Sequence, residues 1–344
     1  MTCLLTGRPA GPAGSGRTAL YYPVRKSSAS HRGARRGLLL PLMGLLLVGG
    51  CGAGAGDDLP LNWRRVEAPE LGLPEGVELF EGHNPDLPLR AWYARIAERD
   101  PGLETRVLVS TDDDRRETPA EFAARTGAAL VINAGYFQMG ALPAEHVGLL
   151  HLDGRTVAPS AEYYTRSELR YPTVRAALGL DAAGGIDVAW AASRGDTLFE
   201  WPAPLPNRPG QPAAAVDFTH ARTWSVRDAV AAGPALLADG RIAVSVDEEV
   251  FFGSSIPQVH PRTAAGYTRR GDLVLLVVDG RQPASRGVDL RELATIMREL
   301  DCIEALNLDG GGSSALVVGG VLLNRPAGGT VQREVMSVLA VFAR

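Results

Sequence analysis

Residues 303–314 read IEALNLDGGGSS, an apolar run that ends in two polar residues, three glycines and two serines. The apolar part predicts a short buried strand, and the glycines predict a tight loop directly after it. Because side chains alternate along a strand, Asn307 and Asp309 are expected on one face at the strand's end. Glycine amides can turn toward an anion such as phosphate, and Ser313 and Ser314 add hydroxyl groups. A glycine hairpin with two solvated polar residues explains these residues equally well.

Two well-known glycine-rich motifs do not fit this loop. The phosphate loop of nucleotide hydrolases requires a lysine after its last glycine, and the chain has no lysine beyond Lys26. A hydrolase nucleophile elbow requires a helix after its serine, whereas residues 316–323 (LVVGGVLL) predict a hairpin with a Gly-Gly turn. Nucleotide hydrolysis is therefore excluded, and serine-hydrolase chemistry is disfavoured.

The first fifty residues have the composition of an export signal. They contain seven basic residues and no acidic one, and the apolar run 38–48 is too short to span a bilayer. The run ends in Val-Gly-Gly before Cys51, a sequence that resembles a bacterial lipoprotein box. We therefore predict a signal peptide over residues 1–50, an acylated Cys51, a flexible tether over residues 51–62 and a folded domain over residues 63–344. The protein would be lipid-anchored in the cell envelope, on the periplasmic, outer-membrane or extracellular face. The alternative is an ordinary signal peptide in which Cys51 is incidental.

The charge and cysteine content limit the partners and the means of stabilisation. Without residues 1–50 the chain has 28 basic and 39 acidic residues, and this acidic balance argues against nucleic acid as a partner. Cys302 is the only cysteine after Cys51, so no intramolecular disulfide is expected. No His or Cys cluster has metal-ligand spacing, and no cofactor is predicted because no ligand motif supports a divalent cation. Nothing in the sequence indicates an oligomeric state.

The pattern of caps and turns predicts a single α+β catalytic domain, with a central mixed or mainly antiparallel sheet and a few flanking helices. Capping boxes predict a helix that begins after Thr118 and ends at Gly127, and a second helix over residues 288–300. Apolar segments on either side of Asp-Pro-Gly predict a hairpin over residues 91–109. A second hairpin is predicted over residues 177–190.

Three predicted strands end in polar side chains followed closely by glycine: Asn133, Asp279 with Arg281, and Asn307 with Asp309. If the fold gathers them, two carboxylates, two amides and a cation lie beside the glycine loop. Such a set suits hydrolysis at an anomeric carbon whose leaving group is a phosphate, because a carboxylate activates water or attacks while cations stabilise the phosphate. For Asp279 alone, an ordinary Asp-Gly turn is the simpler interpretation.

Five motifs in this order resemble the phosphodiester glycosidase family: NAGYF (133–137), GP (233–234), HPRT (260–263), DGR (279–281) and NLDGGGSS (307–314). The resemblance extends from about Leu89 to the C-terminus. It implies hydrolysis of a sugar-1-phosphodiester, which releases free sugar and leaves a phosphomonoester. A phosphorylated glycan would be the partner. The family's usual Asn-Gly-Gly-Phe-Phe is Asn-Ala-Gly-Tyr-Phe here, a difference that bears on sugar identity.

The resemblance also implies roles for individual residues. It places Asp309 and Asp279 as acid–base or nucleophilic carboxylates and Arg262 as a clamp on the phosphate. Ser285 matches the family pattern in a supporting position. The substrate-binding residues that it implies are Asn133, Asn307, Gly311, Gly312, Ser313, Ser314 and Arg281. Two rival functions fit the same residues: a non-catalytic module that binds an anionic polysaccharide, and a metal-dependent phosphodiesterase with Asp279 and Asp309 as ligands.

Overall fold

A computed structural model of the chain describes residues 59–344. The predicted signal peptide, Cys51 and most of the predicted tether lie outside the described residues. Within them, Leu59 and Leu61 are already buried in a core cluster, a few residues before Trp63. Among residues 59–344, no helix has both the length and the apolar character needed to cross a membrane.

The described residues form 22 strands and two α-helices. The helices are α1 (Pro119–Thr126) and α2 (Leu290–Glu299). The strands are β1 (Asn62–Arg65), β2 (Val77–His83), β3 (Arg90–Ile96), β4 (Leu103–Val109), β5 (Leu130–Asn133), β6 (Leu150–Leu152), β7 (Arg155–Ala158), β8 (Tyr163–Arg166), β9 (Leu169–Pro172), β10 (Arg175–Leu180), β11 (Ile186–Arg194), β12 (Thr197–Trp201), β13 (Arg222–Thr223), β14 (Asp228–Ala231), β15 (Ala235–Ala238), β16 (Arg241–Ile242), β17 (Arg262–Thr268), β18 (Leu273–Val278), β19 (Cys302–Asn307), β20 (Leu316–Val318), β21 (Val321–Leu322) and β22 (Ser337–Ala343).

The strands form three larger sheets and one separate hairpin. The eight-stranded sheet has the order β1-β2-β3-β18-β17-β19-β15-β16, and the seven-stranded sheet has the order β13-β12-β11-β10-β14-β6-β7. The five-stranded sheet is β21-β20-β5-β22-β4, and β8 pairs with β9 alone. The predicted α+β class is therefore wrong: the described part of the chain is mostly β, with several antiparallel sheets instead of one central sheet.

Strand β18 explains how the sheets and helices share a core. Its six residues, LVLLVV, are all buried, and alternate side chains enter two different clusters. Leu275 and its neighbours on that face join the cluster that includes Ile132 and Leu178 of the other two large sheets. Leu276 and its neighbours on the opposite face pack with Ile296 of α2. A strand that is apolar on both faces thus lies between α2 and the remaining sheets.

Both helix predictions are confirmed, together with their caps. Thr118 and Glu121 form a reciprocal capping box at the start of α1, which ends at a left-handed Gly127. Asp289 and Glu292 form the second box, and the apolar stripe of α2 faces the eight-stranded sheet.

The hairpin predictions had different outcomes. Strands β10 and β11 pair across residues 175–191, so the hairpin over residues 177–190 is confirmed. The hairpin over residues 91–109 is wrong, because β3 pairs with β2 and β18 while β4 pairs with β22. The Asp100 turn is present, with the Asp100 carboxylate accepting from the Gly102 amide. It carries the chain from one sheet to another.

Candidate active site

The strand-end motifs meet because of the order of strands in the eight-stranded sheet. Strand β17 runs antiparallel to both neighbours, with Arg262 opposite Val278 and Ala264 opposite Asn307. The beginning of β17 therefore lies beside the ends of β18 and β19. Arg262, Asp279 and Asn307 are thus at the same end of three neighbouring strands. The five-stranded sheet contributes Asn133 at the end of β5.

Asn133 joins the two sheets at this point. Its buried amide nitrogen donates to the Asp309 carbonyl oxygen at 2.6 Å. Its oxygen accepts from the Thr263 hydroxyl at 2.8 Å and from the Ala315 amide at 3.1 Å. These internal bonds fix the backbone on both sides of the glycine loop, so the geometry gives Asn133 an orienting role.

Asn307 is satisfied in a similar way. Its amide nitrogen lies 2.7 Å from the Tyr136 hydroxyl and 3.1 Å from the Gly233 carbonyl oxygen. Its oxygen accepts from Arg262 at 3.4 Å. The Tyr136 hydroxyl donates to the same Gly233 carbonyl at 2.9 Å. Asn307 thus holds the aromatic end of the NAGYF motif against the Gly-Pro motif.

The Asp309 carboxyl is half-buried at the start of the glycine loop. Its Oδ1 accepts from the Gly310 amide at 2.9 Å. Burial raises the pKa of Asp309 to about 6, while the Ser313 hydroxyl, the Gly310 amide and the Arg333 charge act in the opposite direction. At neutral pH the group is therefore mainly a carboxylate, and it is more basic than an exposed aspartate.

The glycine loop itself forms one turn of 3-10 helix over Gly311–Ser313. Most of its amides donate within the protein, namely those of Gly310, Gly311, Ser313 and Ser314. The expectation that a row of loop N–H groups faces an anion is therefore not met, because the turn and the Pro261 carbonyl use them.

Two guanidinium groups lie over the loop instead. A Cβ added to Gly311 would lie 3.3 Å from a terminal nitrogen of Arg281, and one added to Gly312 would lie 2.5 Å from a terminal nitrogen of Arg333. Arg333 also donates to the Ser313 hydroxyl at 3.4 Å. The absence of side chains at these glycines thus allows two cations to approach the loop closely.

Arg281 was a predicted binding residue, whereas Arg333 was not found from the sequence. Arg281 is exposed, has φ +58°, and donates to His260 Nδ1 at 3.1 Å. Arg333 lies just before β22, in a segment without strand or helix periodicity. Its only signal in the sequence would have been a basic residue close to the last strand.

Arg262 is buried and its guanidinium is largely occupied. Nε donates to the Val288 carbonyl at 3.0 Å, and one terminal nitrogen donates to the Ile256 carbonyl at 2.7 Å and to the Gln258 carbonyl. With the bond to Asn307, one N–H group remains. Burial lowers the pKa of Arg262 to about 10. These contacts fit a residue that positions the site, and the predicted clamp on phosphate stays a prediction.

Asp279 is buried, with 1% of its surface exposed. Its Oδ1 accepts from the Arg325 amide at 2.9 Å and from the Asn324 side chain at 3.2 Å, whereas Oδ2 has no partner among the described residues. Burial raises the pKa of Asp279. The Ser285 hydroxyl donates to the Asp279 carbonyl at 2.7 Å, in agreement with a supporting role for that serine.

Asn324 connects Asp279 to the glycine loop. Its side chain also donates to the Ser314 carbonyl at 2.9 Å, and the Ser314 hydroxyl is buried without a partner. In residues 59–344, no three His, Cys, Asp or Glu side chains converge as metal ligands. The site therefore presents one half-buried carboxylate and two guanidinium groups, on a backbone that is held by buried side-chain hydrogen bonds.

Comparisons with known proteins find a matching family model and several similar proteins. The family model described as phosphodiester glycosidase matches residues 126–342. The chain is 30% identical over 336 residues to mouse N-acetylglucosamine-1-phosphodiester alpha-N-acetylglucosaminidase, covering 87% of this chain and 59% of that protein. The bovine enzyme of the same name is 43% identical over 76 residues, which are 22% of this chain and 14% of that protein. The chain thus spans about three fifths of the mouse relative's length, and the bovine match is a short segment.

Two solved structures share the fold. The zebrafish N-acetylglucosamine-1-phosphodiester alpha-N-acetylglucosaminidase catalytic domain, auto-inhibited by its pro-peptide, has a TM-score of 0.56 at 19% identity, covering 82% of this chain and 88% of that chain. A hypothetical protein from Synechocystis has a TM-score of 0.57 at 18% identity, covering 84% of this chain and 64% of that chain. At these identities the likeness concerns the fold alone.

Proposed function

The chain belongs to the phosphodiester glycosidase family, and we propose that it hydrolyses the bond between C1 of a sugar and a phosphodiester oxygen. The products are free sugar and a phosphomonoester. The observation that supports this proposal best is the half-buried Asp309 carboxylate beside the guanidinium groups over the glycine loop.

Asp309 supplies the negative charge that the reaction needs at the anomeric carbon. With a pKa of about 6 it is mostly ionised at pH 7, yet basic enough to take a proton from water or to attack C1 directly. The C1–O bond breaks, the oxygen of water ends on C1, and the bonding electrons leave with the phosphate. A phosphate leaves readily, so a strong general acid is not required.

Arg333 and Arg281 bind the phosphate oxygens in this proposal. Guanidinium groups form paired hydrogen bonds to phosphate and stabilise the charge that grows on the leaving group. Arg333 acts on Asp309 as well, because its charge lowers the pKa of that carboxyl. Arg262, Asn307, Asn133 and Asp279 hold this arrangement through their buried hydrogen bonds.

The place of action is a second part of the proposal and rests on residues 1–51. The basic region, the short apolar run and Cys51 support an exported, lipid-anchored protein that acts on glycans of the envelope or outside the cell. The mouse relative's name contains N-acetylglucosamine-1-phosphodiester, so a diester of that sugar is the first compound to test.

The full chain is incubated with a panel of sugar-1-phosphodiesters, and free sugar, sugar phosphate and phosphomonoester are measured separately. Asp309→Asn is the test variant, and Asp181→Asn, in a turn outside the site, is its matched control. We expect free sugar from the unmodified chain and the control, and at least about a hundredfold less from Asp309→Asn. Sugar phosphate as product would establish a phosphodiesterase instead, and binding without any product would establish a binding module.

A further inference from the structure

Arg175, the first residue of β10, carries a buried cation without an acidic partner. Only 8% of the residue is exposed. Its Nε donates to the Glu249 carbonyl oxygen at 3.1 Å, but neither terminal nitrogen has a hydrogen bond or ion pair with any described residue. Neither terminal nitrogen is fully enclosed, so both keep some contact with solvent. Burying a charge in this way is costly unless something pairs with it.

The carboxylate of Glu249, whose charge acts on Arg175, already has other partners. The buried Glu249 carboxylate accepts four hydrogen bonds, from the Ala176 amide at 2.9 Å, the Ala235 amide at 2.8 Å, the Ser245 hydroxyl at 2.6 Å and Trp190 Nε1 at 2.9 Å. These four donors use both carboxylate oxygens. Arg166, the other cation whose charge acts on Arg175, donates to backbone carbonyls. The protein itself therefore leaves the outer edge of the Arg175 guanidinium unpaired.

Two aromatic rings fix the plane of that guanidinium. Its central carbon lies 3.5 Å from the ring centroid of Tyr164 and 4.0 Å from that of Phe251. Stacking of this kind covers the flat surface of a guanidinium and leaves its edge, with parallel N–H groups, free to bind. An edge of this kind matches the two oxygens of a carboxylate or a phosphate.

Two polar atoms close to Gly148 lack hydrogen-bond partners. The Tyr164 hydroxyl and His146 Nε2 are both buried without a hydrogen bond. Both are close to Gly148: a Cβ there would lie 3.9 Å from the Tyr164 hydroxyl, and the Gly148 carbonyl lies 3.1 Å from His146 Nδ1. Burial lowers the pKa of His146 to about 4, so the ring is neutral at pH 7. Because a carbonyl only accepts, Nδ1 carries the proton. A Cβ at Gly135 would lie 2.2 Å from Nε2, and both this nitrogen and the Tyr164 hydroxyl are enclosed by protein, so Arg175 is the group left open to a ligand.

This group of side chains lies close to the candidate active site. The Tyr136 ring is 6.1 Å from the Phe251 ring, and the Tyr136 hydroxyl accepts from Asn307 at 2.7 Å. The charges of both Asp309 and Arg175 act on Tyr136. Arg175 therefore contacts Phe251, which in turn packs near Tyr136 of the candidate site.

We propose that Arg175 binds an anionic group on the sugar of the substrate, so that the preferred substrate is an acidic sugar-1-phosphodiester. This inference rests on the proposed function. Two oxygens of the acidic group accept from the terminal N–H groups of Arg175. A uronic-acid carboxylate and a phosphate ester on the sugar share this chemistry.

The test measures binding of three probes to the full chain at pH 7 by calorimetry: glucuronic acid, glucose 6-phosphate and glucose. Arg175→Met removes the charge but keeps an unbranched side chain that can lie between two aromatic rings. Arg170→Met is the matched control, because Arg170 is exposed and stacks on Tyr163 of the same hairpin at 4.5 Å. Circular dichroism checks that each variant is folded.

We expect at least one acidic probe to bind the unmodified chain at least about tenfold more tightly than glucose, and the acidic probe preferred identifies the anionic group. Arg175→Met should abolish the preference and Arg170→Met should retain it. Equal binding of the three probes by the unmodified chain would overturn the proposal. A preference for the acidic probe that survives in Arg175→Met would also overturn it. If Arg175→Met is unfolded, Arg175→Lys takes its place, because lysine lacks the paired N–H edge, and an unchanged preference in that variant would overturn the proposal. If the acidic probes bind as expected but the chain releases no free sugar from any diester, the proposed function is refuted and the proposed binding site is supported.

Discussion

Replacing Asp309 with Asn should make the protein more stable at neutral pH while removing its activity. In the folded chain burial raises the pKa of Asp309 from its ordinary value of 3.8 to about 6. This increase in pKa means that the folded state disfavours the ionised carboxyl by about 3 kcal/mol relative to the unfolded state. Because the side chain is only half-buried, solvent screens part of this cost and about 3 kcal/mol is an upper bound.

The sign of the effect follows from proton linkage. Between pH 3.8 and about 6 the folded chain binds more protons at Asp309 than the unfolded chain, so the free energy of unfolding falls as pH rises through this window. Below it the carboxyl is neutral in both states and the cost vanishes. Asn removes the cost at high pH and retains an oxygen that can accept from the Gly310 amide. We expect Asp309→Asn to gain about 1–3 kcal/mol at pH 7.5 and no more than about 0.5 kcal/mol at pH 4.

The assay is urea unfolding of the variant and the unmodified chain at both pH values, with turnover measured on the same preparations. Asp181→Asn reports the general effect of exchanging a carboxylate for an amide. If Asp309→Asn has the same free energy of unfolding as the unmodified chain at both pH values, the carboxylate is well hydrated. The reasoning that assigns it a raised pKa would then be refuted.

Three other predictions test separate parts of the structure. Arg333→Met should lower kcat/KM at least about tenfold and move the acid limb of the pH–rate profile to higher pH, because the Arg333 charge holds down the pKa of Asp309. An acid limb at the same pH would show that Arg333 does not act on the Asp309 carboxyl. Asn133→Ala should lower the free energy of unfolding in urea by about 2–4 kcal/mol, since three buried hydrogen-bonding groups lose their partner, and a loss below about 1 kcal/mol would contradict its bracing role. Cys51→Ala should move the protein from the membrane to the soluble fraction on cell fractionation; a variant that remains with the membrane would point to another tether.

The parts of the fold that could be predicted from the sequence are those with local causes. The two helices have capping boxes whose donors and acceptors are three residues apart, so a short window contains the whole signal. The burial of β18 on both faces was likewise visible in its composition. Strand pairing has no such local cause. Residues 91–96 and 103–109 look like partners across a turn, yet they pair with distant strands in two different sheets.

The error in fold class has the same origin. Many strands, such as β13 and β16, are two to four residues long, too short for an alternating pattern to show. Because these short strands are not predicted, the two helices make up a larger fraction of the predicted elements than of the observed ones. In the site, the strand-end motifs were visible because glycine follows each polar residue closely. Arg333 was not, since its importance comes from lying over Gly312 in space.

The antiparallel position of β17 between β18 and β19 makes activity a reporter of sheet register. A slip of β17 by one residue would turn Arg262 to the opposite face and bring Thr263 to its place. The Arg262–Asn307 and Thr263–Asn133 hydrogen bonds would then lose their geometry. The site therefore forms only after segments far apart in the chain have paired correctly. A preparation of uncertain folding quality can accordingly be graded by its specific activity, because chains with misaligned sheets contribute mass but no turnover.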